Sequence, residues 1–319
     1  MPESTIVCVS ANPAMDRRLR VARLGIGEVN RAESAHGFAG GKAAHVAMAA
    51  RAMAAKAMWI GFLGGAIGQE CARQLENLGI QVVSIPTAAS TRVNLEIIDG
   101  SGKITEILEP GGEPSGAERD EFLRVCAQGI RDEWKNAVLV ISGSLPAGVG
   151  PEFYVSVVEG ARAAGARVFV DTSGEALRVS AKAHPEFVKT NRTEAEALVG
   201  QRLGTIQEIV RAATEIIQHG AESAAITLGR EGFIWVEHKN GPVWMARPPR
   251  VKVISTVGCG DATLGGFAYA AAEGIVGEAA ARLAAACGTA NCLAAAPGRI
   301  DRATVESFLP QIEVQKLAL

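Results

Sequence analysis

Apolar positions in this chain follow two rhythms that alternate from one end to the other. Short, nearly continuous apolar runs occur at 5–10, 58–63, 137–141, 167–171 and 224–228. A run without polar alternation is the mark of a strand covered on both faces. Longer stretches in helical spacing lie between them. Residues 43–56 are rich in Ala and Met, and 67–78 are amphipathic and stop at Gly79. Ser115 with Glu118 makes a capping box that opens a helix running to about Trp134. Pro151 opens another helix that Gly165 closes, and 81–85 adds a further strand. Strand and helix in alternation predict an α/β fold with a mostly parallel sheet and covering helices.

Residues 91–108 break that rhythm. Val93, Leu95 and Ile97 alternate with Asn94 and Glu96, a period of two that predicts a strand buried on one face. Asp99, Gly100, Ser101 and Gly102 supply the turn, and 103–108 returns as a second strand. An antiparallel hairpin does not fit a parallel core. It is expected to belong to a small β-sheet lid, joined by material from 17–36, within which 17–23 reads as basic and irregular. A lid with an apolar face closes over a ligand or buries that face against another subunit, so a homodimer through the lid is expected. A second hairpin is expected from 233–237 and 243–245. Residues 251–254 read as a strand or an extended segment. No repeat or linker divides the chain, which predicts a single domain over 1–319 with the lid inserted.

Composition narrows the function classes. A length of 319 residues fits one large α/β domain with a small addition, or two ordinary domains. A net charge of -2 leaves no global basic surface for nucleic acid. The six cysteines are widely spread without a CxxC pair, as in a reduced, cytosolic thiol set rather than a disulfide framework or zinc site. Residues 1–4 carry no basic stretch, so no signal peptide is expected. The Ala-rich region 270–296 is interrupted by Glu273, Glu278, Arg282 and Asn291, which suits packed helices rather than a membrane span. A cytoplasmic protein without nucleic-acid or membrane partners is expected.

Candidate chemistry concentrates in Gly258-Cys259-Gly260-Asp261, just before an apolar helical run. Two glycines at a helix start let backbone N–H groups converge on an anion without Cβ obstruction. With one carboxylate beside that cradle, the arrangement suits phosphoryl transfer: amides stabilise the moving phosphoryl group and Asp261 takes the proton of an attacking hydroxyl. The plainer alternative is a turn with Asp261 as a helix cap. Gly40-Gly41-Lys42, in the loop 38–42, is a second anion-binding arrangement, although the P-loop spacing is absent. Asp16 follows the first strand and is a candidate for a sugar hydroxyl, or a solvated turn residue. Ser144 lies after the strand 137–141 and should face the ligand crevice. Asn191 and Glu194, three apart at a helix start, suit Mg²⁺, which keeps several waters; helix capping explains the same pair. Lys42, Arg92 and Arg31 are candidates to grip a substrate phosphate.

These pieces, in order, resemble the PfkB, or ribokinase-like, carbohydrate kinases over nearly the whole chain. They are Asn12-Pro13-Ala14-Met15-Asp16, Gly40-Gly41-Lys42, Thr91-Arg92, the stretch from Thr105 to Gly111, Ser142 to Pro146, Lys189 with Asn191 and Glu194, Thr227-Leu228-Gly229, and Gly258-Cys259-Gly260-Asp261. The likeness is greatest to the 1-phosphofructokinase and tagatose-6-phosphate kinase branch. It implies a ribokinase-like three-layer α/β/α core with a β-sheet lid, using ATP and Mg²⁺ to phosphorylate a small phosphosugar. It also implies Asp261 as base, with Gly258, Cys259 and Gly260 as anion hole, and Mg²⁺ near Asn191 and Glu194. Lys189, Asn191, Thr227, Gly229, Gly232 and Asn291 would line the nucleotide. Asp16, Gly40, Gly41 and His45 would meet the sugar, and Lys42, Arg92 and Ser144 its phosphate.

The chain departs from that family at several positions. Ala43, Ala44 and His45 stand where Gly-x-Asn is usual, Thr190 replaces a proline, Cys259 an alanine and Ala262 a serine. An asparagine expected on the sugar is thus a histidine, which reaches farther and titrates near neutrality. A free-sugar or nucleoside kinase on the same fold, and a non-catalytic sugar-phosphate sensor, remain alternatives at this point.

Overall fold

A computed structural model describes residues 5–134 and 136–318. The leader reading at residues 1–4 lies outside them. The first part of the chain runs β1 (Thr5–Ser10), β2 (Ala14–Val21), β3 (Ala32–Gly40), α1 (Lys42–Ala52), β4 (Lys56–Leu63), α2 (Gly65–Asn77), β5 (Gln81–Pro86), β6 (Arg92–Ile98) and β7 (Ile104–Leu108). It continues through α3 (Gly116–Asp132), β8 (Val138–Ser142), α4 (Glu152–Ala163), β9 (Arg167–Asp171), α5 (Gly174–Lys182), β10 (Phe187–Asn191), α6 (Arg192–Val199), α7 (Ile206–Gln218) and β11 (Ser223–Thr227). It ends with β12 (Phe233–Val236), β13 (Val243–Arg247), α8 (Cys259–Glu273), α9 (Gly277–Asn291), α10 (Arg302–Phe308) and β14 (Glu313–Leu317).

The main sheet has the order β14-β13-β12-β11-β10-β9-β8-β1-β4-β5. Strands β5 through β11 of that order are parallel, and β12, β13 and β14 extend it antiparallel. The continuous apolar runs have a simple cause. In β1, Ile6 and Cys8 enter one apolar layer and Val7 and Val9 the other; in β8, Val138 and Val140 divide from Leu139 and Ile141 in the same way. Helices α1, α8, α9 and α10 cover one face, and α3, α4, α5 and α7 the other, which is the expected three-layer α/β/α core. The strand order reverses between β1 and β8, so the crevice at their carboxyl ends is the natural ligand position. Among the described residues no helix is long and apolar enough to cross a membrane.

The lid is a separate sheet of order β3-β2-β6-β7. Two expectations change here. Residues 17–23 are not irregular: most belong to β2, pairing with β3 and with β6. The loop expected at 38–42 is instead the end of β3 followed directly by α1. The charged residues of β2 hid the strand because two of them point inward, against the usual apolar pattern. Asp16 and Arg18 are buried toward the core, whereas Arg17 and Arg20 are exposed. Residues 251–254 form no strand; the Ile254 amide donates to the Cys292 carbonyl at 2.7 Å, so this is an extended segment tied to the end of α9. The capping box at Ser115 and the left-handed Gly79 beyond α2 are as the sequence predicts.

Candidate active site

The amino end of α8 projects into the crevice beneath the lid. Gly258 holds φ at 79°, a left-handed conformation that favours glycine. At Gly260, a Cβ would lie 2.9 Å from Lys189 Nζ, so the missing side chain lets the ammonium lie against the helix start. No described side chain caps the first turn, whose amides and dipole therefore remain available to an anion. The cradle is narrower than expected. The Cys259 amide donates to the Thr256 carbonyl at 3.2 Å and is taken out of the cradle, which the amides of Gly260 and Asp261 still border.

Asp261 owes its position to a seam of small residues. A Cβ at Gly265 would lie 2.8 Å from Ala49 Cβ and 3.1 Å from the Val46 carbonyl oxygen, so α1 and α8 approach closely. This brings His45 of α1 against Asp261, with Nδ1 2.8 Å from Asp261 Oδ2. The ring's other nitrogen, Nε2, is 2.8 Å from Asp16 Oδ2. Both ring nitrogens are thus engaged by protein carboxylates, which corrects the expectation that His45 meets the sugar directly. Asp16 is fixed from further sides. Asn94 Nδ2 donates to its Oδ1 at 2.9 Å and the Gly41 amide to its Oδ2 at 3.4 Å. A Cβ at Gly40 would lie 2.2 Å from the Asp16 carboxylate, so Gly40 makes room for it. Burial raises the Asp16 pKa, but the His45 and Asn94 contacts outweigh it and hold the carboxyl below its ordinary value.

A second cluster flanks the cradle. Asp171, fully buried at the end of β9, accepts from Lys42 Nζ at 2.9 Å and from Lys189 Nζ at 2.6 Å. Lys42 also reaches Glu194 Oε1 at 3.3 Å. Burial opposes charge on Lys42, but the carboxylates of Asp171, Glu194 and Asp261 prevail and hold the ammonium above its usual pKa. Burial likewise raises Asp171, and the two lysines more than reverse this, so it stays ionised. Lys42 is therefore turned to Asp171 and Glu194 and not to Arg92. Asp171 itself read as nothing more than a strand end, because its partners come from distant segments.

Arg92 and Ser144 do come together, through Asn12. Arg92 donates to the Glu109 carbonyl at 2.7 Å and to the Asn12 carbonyl at 3.1 Å, while Asn12 Nδ2 donates to Ser144 Oγ at 3.2 Å. A small cavity beside them is lined by Asn12, Ser90, Thr91, Arg92, Gly111 and Gly112. Arg31 is exposed in the β2–β3 connection and is not brought to this cluster. A wider cavity lies at Phe38, Gln74 and Arg299 and holds none of the residues expected to act.

The nucleotide-side residues divide. Thr227 and Gly229 lie at the end of β11 beside β10, and Gly229 has a left-handed φ with open space where a Cβ would be. Gly232 has a packing reason: a Cβ there would overlap the Ala246 carbonyl. Asn291 is a buried strut. Its amide donates to the Val257 carbonyl at 2.8 Å and accepts from the Gly298 amide at 2.7 Å, fixing the approach to α8. Asn191 and Glu194 form the reciprocal capping box of α6, with Asn191 Oδ1 accepting from the Glu194 amide at 2.8 Å and Glu194 Oε2 from the Asn191 amide at 2.9 Å. Among the described residues no group of three His, Cys, Asp or Glu side chains is arranged to hold a metal. Each of these oxygens keeps acceptor capacity beyond its cap bond, so the donor set fits Mg²⁺ held largely through water near Asn191 and Glu194.

One buried polar link was not read from the sequence. Arg18 Nε donates to Glu96 Oε2 at 2.7 Å, and Ser255 Oγ donates to Glu96 Oε1 at 2.6 Å. Ser255 Oγ in turn accepts from the Val257 amide at 3.1 Å. The lid is thereby fastened to the loop that leads into the cradle.

Known proteins resemble this chain over nearly its whole length. The model of the pfkB family of carbohydrate kinases matches residues 4–300. The chain is 29% identical over 313 residues to a 1-phosphofructokinase of Vibrio cholerae, covering 98% of this chain and 97% of that one. It is 32% identical over 286 residues to a 1-phosphofructokinase of Rhodobacter capsulatus, covering 88% of each. Among solved structures, phosphofructokinase-2 from Escherichia coli in complex with fructose-6-phosphate superposes with a TM-score of 0.87 at 28% identity, over 98% of this chain and 99% of that one.

Proposed function

We propose, because the chain belongs to the pfkB family of carbohydrate kinases, that it transfers the terminal phosphoryl group of ATP to a hydroxyl of a ketohexose phosphate, giving the bisphosphate. The observation that carries this reading is the uncapped start of α8, with Asp261 in its first turn and the Lys189 ammonium against Gly260. Asp261 takes the proton of the attacking hydroxyl. The Gly260 and Asp261 amides, with Lys189 and Lys42, stabilise the charge on the phosphoryl group in transit. Mg²⁺, when bound with the nucleotide, would neutralise the charge of its phosphates. Glu194 would hold that ion through water, while Thr227 and Gly229 border the nucleotide phosphates.

On the acceptor side, Asp16 binds sugar hydroxyls, and Arg92, Asn12 and Ser144 surround the phosphate already present. Arg provides planar paired donors suited to a phosphate. The curated relatives that carry the name 1-phosphofructokinase, and the neighbour solved with fructose-6-phosphate, support a phosphosugar over a free sugar. Fructose 1-phosphate, fructose 6-phosphate and tagatose 6-phosphate are the candidates. A homodimer through the lid accompanies this reading. Leu19 and Leu95 are half-buried and Ile107 is 53% exposed, and the pairing of β2, β6 and β7 sets Leu95 and Ile107 side by side on the lid face turned from the core. A cytoplasmic location suits six free cysteines.

The test is a panel of phosphosugars and free sugars scored by kcat/KM, run with wild type and Asp261→Asn. The variant keeps the shape of the carboxylate and cannot take a proton. Its kcat should fall at least ~100-fold with KM for ATP little changed. Free fructose, ribose or a nucleoside turned over as well as the phosphosugars would move the protein to another branch of the fold.

A further inference from the structure

The imidazole of His45 is buried between two carboxylates, at 2.8 Å from Asp16 Oδ2 and 2.8 Å from Asp261 Oδ2. A neutral imidazole has one N–H and one lone pair, so it can donate to only one of them and would turn its lone pair on the other. With both carboxylates ionised, only the doubly protonated ring satisfies both contacts. The remaining surroundings agree. Asp16 comes from β2, Asp261 from α8, and Glu106 from β7 adds a further negative charge. The loop at Gly298 packs its backbone against His45 Cα and Cβ, and its one neighbouring charge, Arg299, turns to Gln74 and the Phe38 ring. Lys42, on the same helix, turns to Asp171 and Glu194, and Arg92 acts on Asp16 from β6. Burial works against the ring's charge, but the bonds and charges of the two carboxylates prevail and push its pKa up to about 10.

We infer that His45 is a positioning residue which, as an imidazolium, clamps the sugar-side carboxylate of Asp16 to the base carboxylate of Asp261. Seating the sugar and orienting the base then become one event. The clamp occupies Oδ2 of Asp261 and leaves Oδ1 to the attacking hydroxyl. It also joins the lid strand β2 to the core helix α8 through α1, so a lid displaced from its closed position would pull on the base. The inference rests on the kinase reading for the role of Asp261, while the protonated bridge itself does not.

Two measurements separate those parts. In ¹⁵N-labelled wild type without ligands, both ring nitrogens of His45, assigned by their loss in His45→Ala, should stay protonated from about pH 6 to about pH 9. A ring that titrates near the ordinary histidine value, or shows one protonated nitrogen, overturns the bridge whatever the activity. In the second measurement, His45→Ala should lose about 10²-fold in kcat, the scale of a misplaced reacting group, with KM for ATP unchanged. Added imidazole should restore part of that rate below about pH 7, where it is a cation, and little of it at about pH 9. Rescue independent of pH, or a His45→Ala rate within twofold of wild type, overturns the positioning role. If His45→Ala unfolds, His45→Asn serves: a neutral amide should keep the melting temperature closer to wild type and still lower kcat. Wild type that keeps the doubly protonated ring yet phosphorylates no ketose phosphate overturns the kinase reading and leaves the bridge standing.

Discussion

Replacing Asp171 by Asn tests whether the two lysines beside the cradle are held by one carboxylate. Asp171 is fully buried, and its partner Lys189 is buried as well, with the ammonium 2.6 Å away. Removing the negative charge leaves Lys189 with a single neutral acceptor in a site closed to water. Breaking one partner of a buried pair costs about 3–5 kcal/mol, and the retained amide oxygen puts this case near the lower end, about 3 kcal/mol. Lys42 is one-third exposed and can turn to Glu194, so it adds little. An unfolding entropy of roughly 2.1 cal/mol/K per residue converts that loss to a fall of about 4–5 °C in Tm for a chain of this length. The wild-type contribution of Asp171 follows from its depressed pKa. It is fully present above the unfolded carboxyl value of about 3.9 and is lost only as pH falls through the lower folded value. The gap between wild type and variant should therefore be flat from about pH 5 to about pH 8 and close only in acid. The assay is paired thermal melts across that range, with KM for ATP measured at neutral pH. There kcat/KM for ATP should fall by about tenfold or more, because both cations lose their fixed direction. A variant that melts within about 1 °C of wild type and binds ATP equally well would refute the idea of one carboxylate organising both lysines.

Three further outcomes are expected. Arg92→Ala should raise KM for the phosphosugar by the equivalent of about 2–4 kcal/mol and leave KM for ATP nearly unchanged, as measured by steady-state kinetics. Glu194→Gln should raise the Mg²⁺ concentration for half-maximal rate; loss of thermal stability with an unchanged Mg²⁺ titration would assign Glu194 to capping alone. Ile107→Lys should shift the protein toward monomer in analytical ultracentrifugation, since a charge would enter the lid face expected to pair.

What the sequence disclosed depended on how local the determinants were. The inner parallel strands of the main sheet were legible because burial on both faces demands an apolar run, as in β1 and β8. The hairpin β6–β7 was legible because one face is wet. Strand β2 was not, since its inward charges are satisfied by partners far along the chain: Arg18 by Glu96, and Asp16 by His45 and Asn94. Helices α5 and α7 and the closing strand β14 were likewise not predicted. Asp261 and the glycines of the cradle stood out because backbone chemistry at a helix start is written in adjacent residues, whereas Lys189 entered only through the family resemblance. The arrangement of His45 was not written there. Its spacing from Asp16 and Asp261 means nothing until the Gly265–Ala49 seam brings two helices together.

The lid enters the chain as two separate excursions, one between β1 and α1 and the other between β5 and α3. They are joined to each other by the parallel ladder of β2 and β6. Neither excursion is complete alone: the first carries Asp16 and Arg18, the second their partners Asn94 and Glu96. On the proposed function, acceptor specificity in this scaffold is therefore not a cassette that recombination can exchange at one locus. A chimaera that imports a single excursion from a relative would inherit a mismatched ladder and an orphaned guanidinium or carboxylate. Divergence toward a new sugar must proceed by paired change in two stretches of the gene, or by point substitutions that leave the ladder and its charge pairs intact.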